Sequence, residues 1–190
     1  MISKPYLLFL GDAKDELAIK TAAGINYWRP EWCIGQMSLP NAKSSLGINE
    51  ISLEEAVKRG AKTFVLGVVN AGGKMPEGWI DIIVKAISLG LNIASGMHSR
   101  LSSFDEISKA AIKHNVKLHD LRYNNIEFDT GKGLKRTGKR LLTVGTDCSV
   151  GKKYTALAVE KAMLEKNMKV SFKATGCLLY TSPSPRDGRE

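Results

Sequence analysis

The stretch VGTDCSVGKKYTAL, residues 144–157, decides the fold of the second half of the chain. An apolar run leads into it, a turn with two glycines follows, and GKK opens a segment with apolar residues at helical spacing. Glycines let backbone N–H groups approach an anion, a helix N-terminus favours negative charge, and a lysine reaches the outer phosphates. The stretch therefore predicts a phosphate-binding loop between a strand and a helix.

This loop departs from the usual phosphate-binding pattern at two points. Four residues ordinarily separate the two glycines, and a Ser or Thr follows the lysine. Here five residues separate Gly145 from Gly151, and Lys153 takes the place of the hydroxyl residue. The predicted cofactor-binding residues are Gly145, Thr146, Asp147, Cys148, Ser149, Val150, Gly151, Lys152, Lys153 and Tyr154.

Lys153 leaves the metal requirement of the loop open, because an ammonium group cannot ligate Mg²⁺, which prefers oxygen. Either Asp147, Thr155 or water completes a metal shell, or the loop holds its phosphate without magnesium. Two adjacent lysines favour the metal-free alternative. Cys148 is read as a small packing residue rather than a nucleophile, since no histidine is near it in sequence.

Around the loop, the sequence predicts one strand–helix–strand unit. RLLTVG (140–145) and MKVSFKATG (168–176) are the predicted strands, and residues 151–167 form the predicted helix, with Ala156, Leu157, Val159 and Ala162 on its apolar face. A single unit of this kind cannot cover both faces of its sheet. We therefore expect residues 140–176 to be the truncated beginning of a P-loop domain.

The last fourteen residues, CLLYTSPSPRDGRE (177–190), break the rhythm of strands and helices. A flexible native tail is one interpretation. The string also resembles the translation of a transposon-type sequencing adaptor. We favour the second interpretation and expect the native part of this sequence to end near Gly176, with the gene continuing elsewhere and residues 177–190 derived from the adaptor.

Residues 1–122 alternate strand and helix patterns. Predicted strands lie at 6–11, 31–38, 62–69, 91–96 and 116–122, and predicted helices at 13–28, 52–60, 79–90 and 102–115. Two helices have a serine followed three residues later by glutamate, which indicates N-caps at Ser52 and Ser103. Alternation of this kind predicts a parallel sheet in a Rossmann-like domain, followed by a linker at 123–139.

The first domain offers weaker candidates for catalysis. Its first strand ends in GDAKDE rather than G-x-G-x-x-G, so dinucleotide binding there is unsupported. His98, Arg100, Asp120 and Arg122 follow predicted strands at their carboxyl ends, where open α/β sheets bind ligands. A structural histidine and an ion pair between Asp120 and Arg122 are the simpler interpretations, and no general base can be chosen from these residues.

Composition narrows the class of partner. The formal net charge of +9 suits an anionic ligand, whereas the sequence contains no nucleic-acid recognition module. No apolar run is long enough for a transmembrane helix, and the N-terminus lacks a signal-peptide pattern. The three cysteines have no metal or disulfide spacing, which favours a cytoplasmic protein. We expect a small-molecule substrate and a phosphate-bearing cofactor as partners, and leave a homo-oligomer open.

The loop GTDCSVGKK (145–153) resembles GTD-x-x-VGK, the phosphate loop of the dethiobiotin synthetase group of P-loop proteins. The resemblance accounts for the fifth loop residue. It implies that Thr146 and Asp147 lie near the phosphates and magnesium. It also implies that the backbone amides of residues 148–152 surround a phosphate that Lys152 neutralises.

Residues 1–176 as a whole resemble one bacterial and archaeal family of unknown-function proteins with a Rossmann-like N-terminal and a P-loop C-terminal domain. The segments that carry the resemblance are AIKTAAGINYWRPE, LGVVNAGGKMPEGW, AISLGLNIASGMHSRL, LHDLR and VGTDCSVGKKYTAL. Some members are described as N-acetyltransferases acting on D-glutamate and related D-amino acids, with acetyl-coenzyme A as donor.

The resemblance thus implies an N-acetyltransferase that uses acetyl-coenzyme A. Two alternatives stay open. One is an ATP-dependent ligase or synthetase of the dethiobiotin synthetase type, and the other is a nucleotide-binding protein without turnover. Because intact family members are much longer, we expect the chain as given to be inactive.

Overall fold

The computed structural model describes residues 2–68, 74–123, 137–146 and 151–173. The chain divides into two compact units, Met1–Tyr123 and Asn124–Glu190. Among the described helices, none combines the length and apolar character that crossing a bilayer requires.

The first unit is built on a five-stranded parallel sheet. Its strands are β1 (Tyr6–Gly11), β2 (Cys33–Ser38), β3 (Thr63–Leu66), β4 (Asn92–Ser95) and β5 (Leu118–Asp120). Their order across the sheet is β2-β1-β3-β4-β5, and every neighbouring pair is parallel. The predicted Rossmann-like sheet is therefore confirmed.

Helices cover both faces of this sheet. They are α1 (Lys20–Trp28), α2 (Leu53–Lys58), α3 (Ile80–Ser88) and α4 (Asp105–His114). The side chains of β1 alternate, so that Leu7 and Phe9 join the core under α2, α3 and α4, while Leu8 and Leu10 join the core with α1. This alternation follows from the two-residue repeat of a strand and explains why β1 is apolar throughout.

The predicted helix over residues 13–28 is wrong in its first half, because α1 begins only at Lys20. Asp15 Oδ1 accepts a hydrogen bond from the backbone N–H of Ala18 at 2.8 Å. A short aspartate side chain that binds nearby backbone in this way stabilises a turn at the expense of a helix. Leu17, in the part of the predicted helix that does not form, is 70 % exposed.

Of the two predicted serine caps, one is confirmed and one is wrong. Ser52 Oγ accepts from the backbone N–H of Glu55 at 3.1 Å and caps α2. Ser103 lies in a 3₁₀ turn, Leu101–Ser103, and donates its hydroxyl proton to the carbonyl of Arg100 at 2.7 Å. Phe104 occupies the N-cap position of α4 instead.

In the second unit the predicted helix is confirmed as α5 (Lys152–Glu165), but the flanking strands are not. Residues 140–146 and 168–173 carry no strand, and residues 174–176 lie outside the described ranges. Strand geometry depends on hydrogen bonds from a neighbouring strand, and none is present in the described part of this unit. Leu141 and Val144, expected in a buried strand, are accordingly 71 % and 79 % exposed.

The predicted apolar face of α5 is only partly buried. Ala156, Leu157 and Val159 are half-buried, whereas Ala162 is exposed. The buried residue of the helix is Glu160, whose carboxylate accepts from the backbone N–H of Phe172 at 2.5 Å. This contact fixes the segment after the helix against α5, a role that apolar spacing alone does not reveal.

Candidate functional site

The N-cap residue of α5 has a backbone conformation that favours glycine. Gly151 is its N-cap residue with φ 90° and ψ 8°, in the left-handed region that L side chains rarely adopt. A Cβ at this position would meet no atom within 4 Å, so the requirement comes from the backbone conformation and not from crowding. Within the described residues, no side chain caps the helix by a hydrogen bond.

Two threonines form hydrogen bonds with the first residues of α5. Thr143 Oγ1 donates to the carbonyl oxygen of Lys152 at 2.9 Å, which joins the segment before the loop to the first helical residue. The backbone N–H of Thr155 bonds the carbonyl of Gly151 at 2.9 Å, and its hydroxyl donates to the same oxygen at 3.2 Å. Thr143 and the first residue of α5 therefore lie side by side.

The charges at the start of α5 are positive. Lys152 is half-buried and Lys153 is exposed, with Lys153 Nζ 5.5 Å from the ring centroid of Tyr154. Backbone N–H groups of a first helical turn and two ammonium groups together attract an anion such as a phosphate. The first turn of α5 contains no acidic residue that would oppose this.

Several of the predicted cofactor residues cannot be placed. Gly145 and Thr146 are exposed, while Asp147, Cys148, Ser149 and Val150 lie outside the described residues. Their predicted roles, including that of Asp147 as a metal ligand, stay predictions. The other weak metal candidate, Thr155, donates its hydroxyl proton to the carbonyl of Gly151 and keeps the lone pairs of its oxygen for a metal.

The four candidates of the first unit lie together after β4 and β5, which are neighbours in the sheet. Asp120 Oδ1 accepts from the backbone N–H of Leu101 at 2.7 Å. Arg122 Nε donates to the carbonyl oxygen of Gly96 at 3.1 Å. The segment after β4 is thus held by the residues at the end of β5.

Tyr123 completes this arrangement and was missed by sequence reasoning, which assigned it to the linker. Its hydroxyl donates to the carbonyl oxygen of His98, and the guanidinium carbon of Arg100 lies 4.2 Å from its ring centroid. His98 and Arg100 are both exposed. The sequence held no signal for this contact, because Arg100 and Tyr123 come together only through the pairing of β4 with β5.

The crevice at which the strand order reverses lies between the carboxyl ends of β1 and β3, where ligands of open α/β sheets commonly bind. Residues 69–73, which follow β3 on this side, lie outside the described residues. On the other side of β1, the carbonyl of Gly11 accepts from the N–H of Leu39 at 2.7 Å and the carbonyl of Ala13 accepts from the N–H of Lys43 at 2.8 Å, which joins the segments after β1 and β2. The indole of Trp79 packs directly on Gly11.

Other reactive groups in the described residues do not form a site. Burial, assisted by the charge of Glu31, raises the pKa of the Cys33 thiol to about 11, so that thiol is protonated at neutral pH. The described residues hold no group of three or more metal-ligating His, Cys, Asp or Glu side chains. In the part of the chain that the structure describes, the start of α5 and the β4–β5 edge are therefore the two places where candidate ligand-binding groups come together.

Comparison with known families assigns both halves of the chain. Residues 39–124 match the family described as "Domain of unknown function (DUF1611_N) Rossmann-like domain", and residues 127–180 match "Domain of unknown function (DUF1611_C) P-loop domain". The chain belongs to the DUF1611 family. The start of α5 is accordingly part of a P-loop domain in this family, as the sequence predicts.

Two curated relatives carry a functional name. A protein of Pseudoalteromonas sp. named "D-glutamate N-acetyltransferase" is 54 % identical over 175 residues, 92 % of this chain and 53 % of the relative. A protein of Tritonibacter scottomollicae with the same name is 48 % identical over 176 residues, 93 % of this chain and 53 % of the relative. The chain therefore spans about half the length of these relatives.

A solved structure shares the fold. It is the crystal structure of a DUF1611 family protein from Anabaena variabilis, matched with a TM-score of 0.67 at 22 % identity over 93 % of this chain and 54 % of that one. At this identity the likeness supports the fold alone.

Proposed function

We propose that this DUF1611 protein is an N-acetyltransferase that transfers the acetyl group of acetyl-coenzyme A to the amino group of D-glutamate or a related D-amino acid. The observation that carries the proposal is the 54 % and 48 % identity to two proteins named D-glutamate N-acetyltransferase, extending over more than nine-tenths of the chain. The identity includes both domains of the family rather than the loop alone.

The chemistry of the P-loop favours coenzyme A as the phosphate-bearing cofactor. Coenzyme A carries phosphates that do not need a bridging Mg²⁺ for transfer of its acetyl group. Lys152 and Lys153 supply two positive charges at the start of α5, and Lys153 replaces the hydroxyl that ligates Mg²⁺ in nucleotide-hydrolysing loops. In this proposal the loop grips the cofactor by charge and backbone amides while the chemistry occurs at the thioester end.

An ATP-dependent ligase is the second candidate, because GTDCSVGK resembles the loop of the dethiobiotin synthetase group. In that case Lys152 holds the β- and γ-phosphates of ATP, and Asp147 or Thr155 supplies a metal ligand. A nucleotide-binding protein without turnover is the third possibility, since nothing in the described residues identifies a general base.

A mass-spectrometric assay separates the three functions. The protein expressed from its complete gene is incubated with D-glutamate and either acetyl-coenzyme A or Mg-ATP, with the Pseudoalteromonas relative as positive control. The proposal predicts N-acetyl-D-glutamate and free coenzyme A in equal amounts. ADP release with no acetylated product would support the ligase instead, and binding without any product would support the non-catalytic alternative.

A further inference from the structure

We infer that Arg100 and Arg122, at the carboxyl edge of β4 and β5, bind the carboxylate groups of the amino-acid acceptor. The inference rests on the proposed function, because it names the site at which that acceptor is held. It changes the predicted role of these arginines from catalysis to substrate binding.

The two arginines lie in segments, residues 95–101 and 120–123, that hydrogen bonds hold together; we call these two segments the platform. The backbone N–H of Leu121 bonds the carbonyl of Ser95 at 2.8 Å, and Asp120 Oδ1 accepts from the N–H of Leu101 at 2.7 Å. With the hydrogen bonds from Tyr123 to His98 and from Arg122 to Gly96, four hydrogen bonds tie residues 95–101 to residues 120–123. A loop fixed in this way loses little conformational entropy when it binds a ligand.

Each guanidinium is oriented by one contact and keeps its remaining donors. Arg122 uses Nε on the Gly96 carbonyl, which leaves its two terminal nitrogens for a ligand. The guanidinium carbon of Arg100 lies 4.2 Å from the centroid of the Tyr123 ring, and a cation–π contact of this kind leaves guanidinium N–H groups for a ligand. Within the described ranges, no carboxylate forms an ion pair with either side chain, and both side chains are exposed.

A carboxylate is the ligand group that this geometry fits. The planar fork of arginine pairs with a carboxylate through two parallel hydrogen bonds, and these charge-assisted bonds are among the stronger ones in proteins. The carboxyl edge of a parallel sheet is where α/β proteins bind ligands, and at this edge the indole of Trp79 already covers Gly11 at the end of β1. An acidic amino acid carries two carboxylates, which matches two arginines.

The test measures binding of D-glutamate and of glutarate by isothermal titration, using the protein expressed from its complete gene. Arg100→Gln and Arg122→Gln are each expected to raise the Kd by about tenfold or more, as loss of a charged hydrogen bond does. Arg59→Gln is the matched control, because Arg59 is an exposed arginine already paired with Glu55 at 2.8 Å, and its Kd is expected to be unchanged. Thermal melting verifies that each variant is folded.

Acetyl-transfer and binding measurements on the same variants distinguish failure of this inference from failure of the proposed function. Acetyl transfer with an unchanged KM for D-glutamate in both arginine variants overturns the site but leaves the acetyltransferase standing. Arginine-dependent binding of glutarate without acetyl transfer supports the site and overturns the acetyltransferase. The inference is contradicted if the wild-type protein binds neither D-glutamate nor glutarate. It is also contradicted if the arginine variants lose affinity for inorganic phosphate or coenzyme A but keep their affinity for glutarate.

Discussion

The indole of Trp79 occupies the space that a side chain at Gly11 would need. A Cβ built on Gly11 would approach Trp79 Cζ2 to 2.3 Å, far inside van der Waals contact. Gly11 also has φ +54°, in the left-handed region. Trp79 in turn packs edge-on against Phe9, with ring centroids 5.1 Å apart, so the end of β1 and the start of α3 share one aromatic core.

Replacing Gly11 by alanine is therefore expected to destabilise the first unit. Left-handed backbone costs a non-glycine residue about 1–2 kcal/mol, and overpacking a core costs about 1–3 kcal/mol. We expect the free energy of unfolding to fall by about 2–4 kcal/mol. Urea unfolding followed by tryptophan fluorescence measures it, since Trp28, Trp32 and Trp79 all lie in this unit.

Gly24→Ala is the control for this prediction. Gly24 lies inside α1, its φ is not positive, and an added Cβ would meet nothing within 4 Å. Alanine is the better helix former by about 0.8–1 kcal/mol, so this variant is expected to be at least as stable as the wild type. Equal stability of the two glycine variants would show that the Trp79 contact is unimportant.

Ser52 caps a helix and Ser103 does not, and we expect this difference to appear in the free energy of unfolding of their alanine variants. Ser52→Ala removes a hydrogen bond to an N–H at the start of α2 and is expected to cost about 1 kcal/mol. Ser103→Ala removes only an exposed bond to the Arg100 carbonyl, so its effect is expected to be within about 0.5 kcal/mol. If the Ser103 variant lost as much stability as the Ser52 variant, the assignment of Phe104 as N-cap of α4 would be wrong.

The stability of the first unit is expected to depend on Glu54 at acid pH. The hydrogen bond from Lys85, with Nζ–Oε1 at 2.8 Å, links α2 to α3. Together with hydrogen bonds from the backbone and Ser52, it lowers the pKa of Glu54 from 4.5 to about 2. Because the folded-state pKa is depressed, this contribution is complete above pH 4.5 and disappears as the pH falls toward 2. Both side chains are about half-exposed, so the contribution is modest.

Urea unfolding at a series of pH values tests this dependence. Glu54→Gln is expected to lose stability at pH 6 and to converge with the wild type near pH 2. In a Lys85→Met background the pH-dependent effect of the same substitution is expected to be smaller, since the lysine is gone while hydrogen bonds from Ser52 and the backbone still lower the pKa of Glu54. Wild-type and Glu54→Gln curves that remain parallel from pH 6 to 2 would refute the coupling.

The sheet of the first unit is predictable from sequence because its strands are short apolar runs between helices with clear spacing. β1 and the cap at Ser52 emerge as expected. The late start of α1 does not, since the turn at Asp15 depends on a side-chain bond that competes with the helix. The strands predicted around α5 are not formed in the described residues. A strand is stabilised by neighbouring strands and not by its own residues alone, so an apolar sequence was not sufficient.

The candidate sites were likewise predictable from the sequence only in part. The lysines and Gly151 are recognisable because a phosphate loop needs particular residues at particular spacing. The platform under Arg100 is not recognisable, since it depends on contacts between residues 95–101 and 120–123 that are distant in sequence. The stacking of Arg100 on Tyr123 likewise becomes visible only after β4 and β5 are paired.

The central claim is that the start of α5, with Lys152, holds a phosphate-bearing cofactor. Isothermal titration of coenzyme A in the absence of Mg²⁺ tests it most directly, using wild type, Lys152→Met and, as control, Lys169→Met, which removes an exposed lysine beyond the helix. We predict binding to the wild type and the control, and at least about tenfold weaker binding to Lys152→Met. Equal affinity of the Lys152 variant and the wild type, or tight binding of Mg-ATP with none of coenzyme A, would contradict the account.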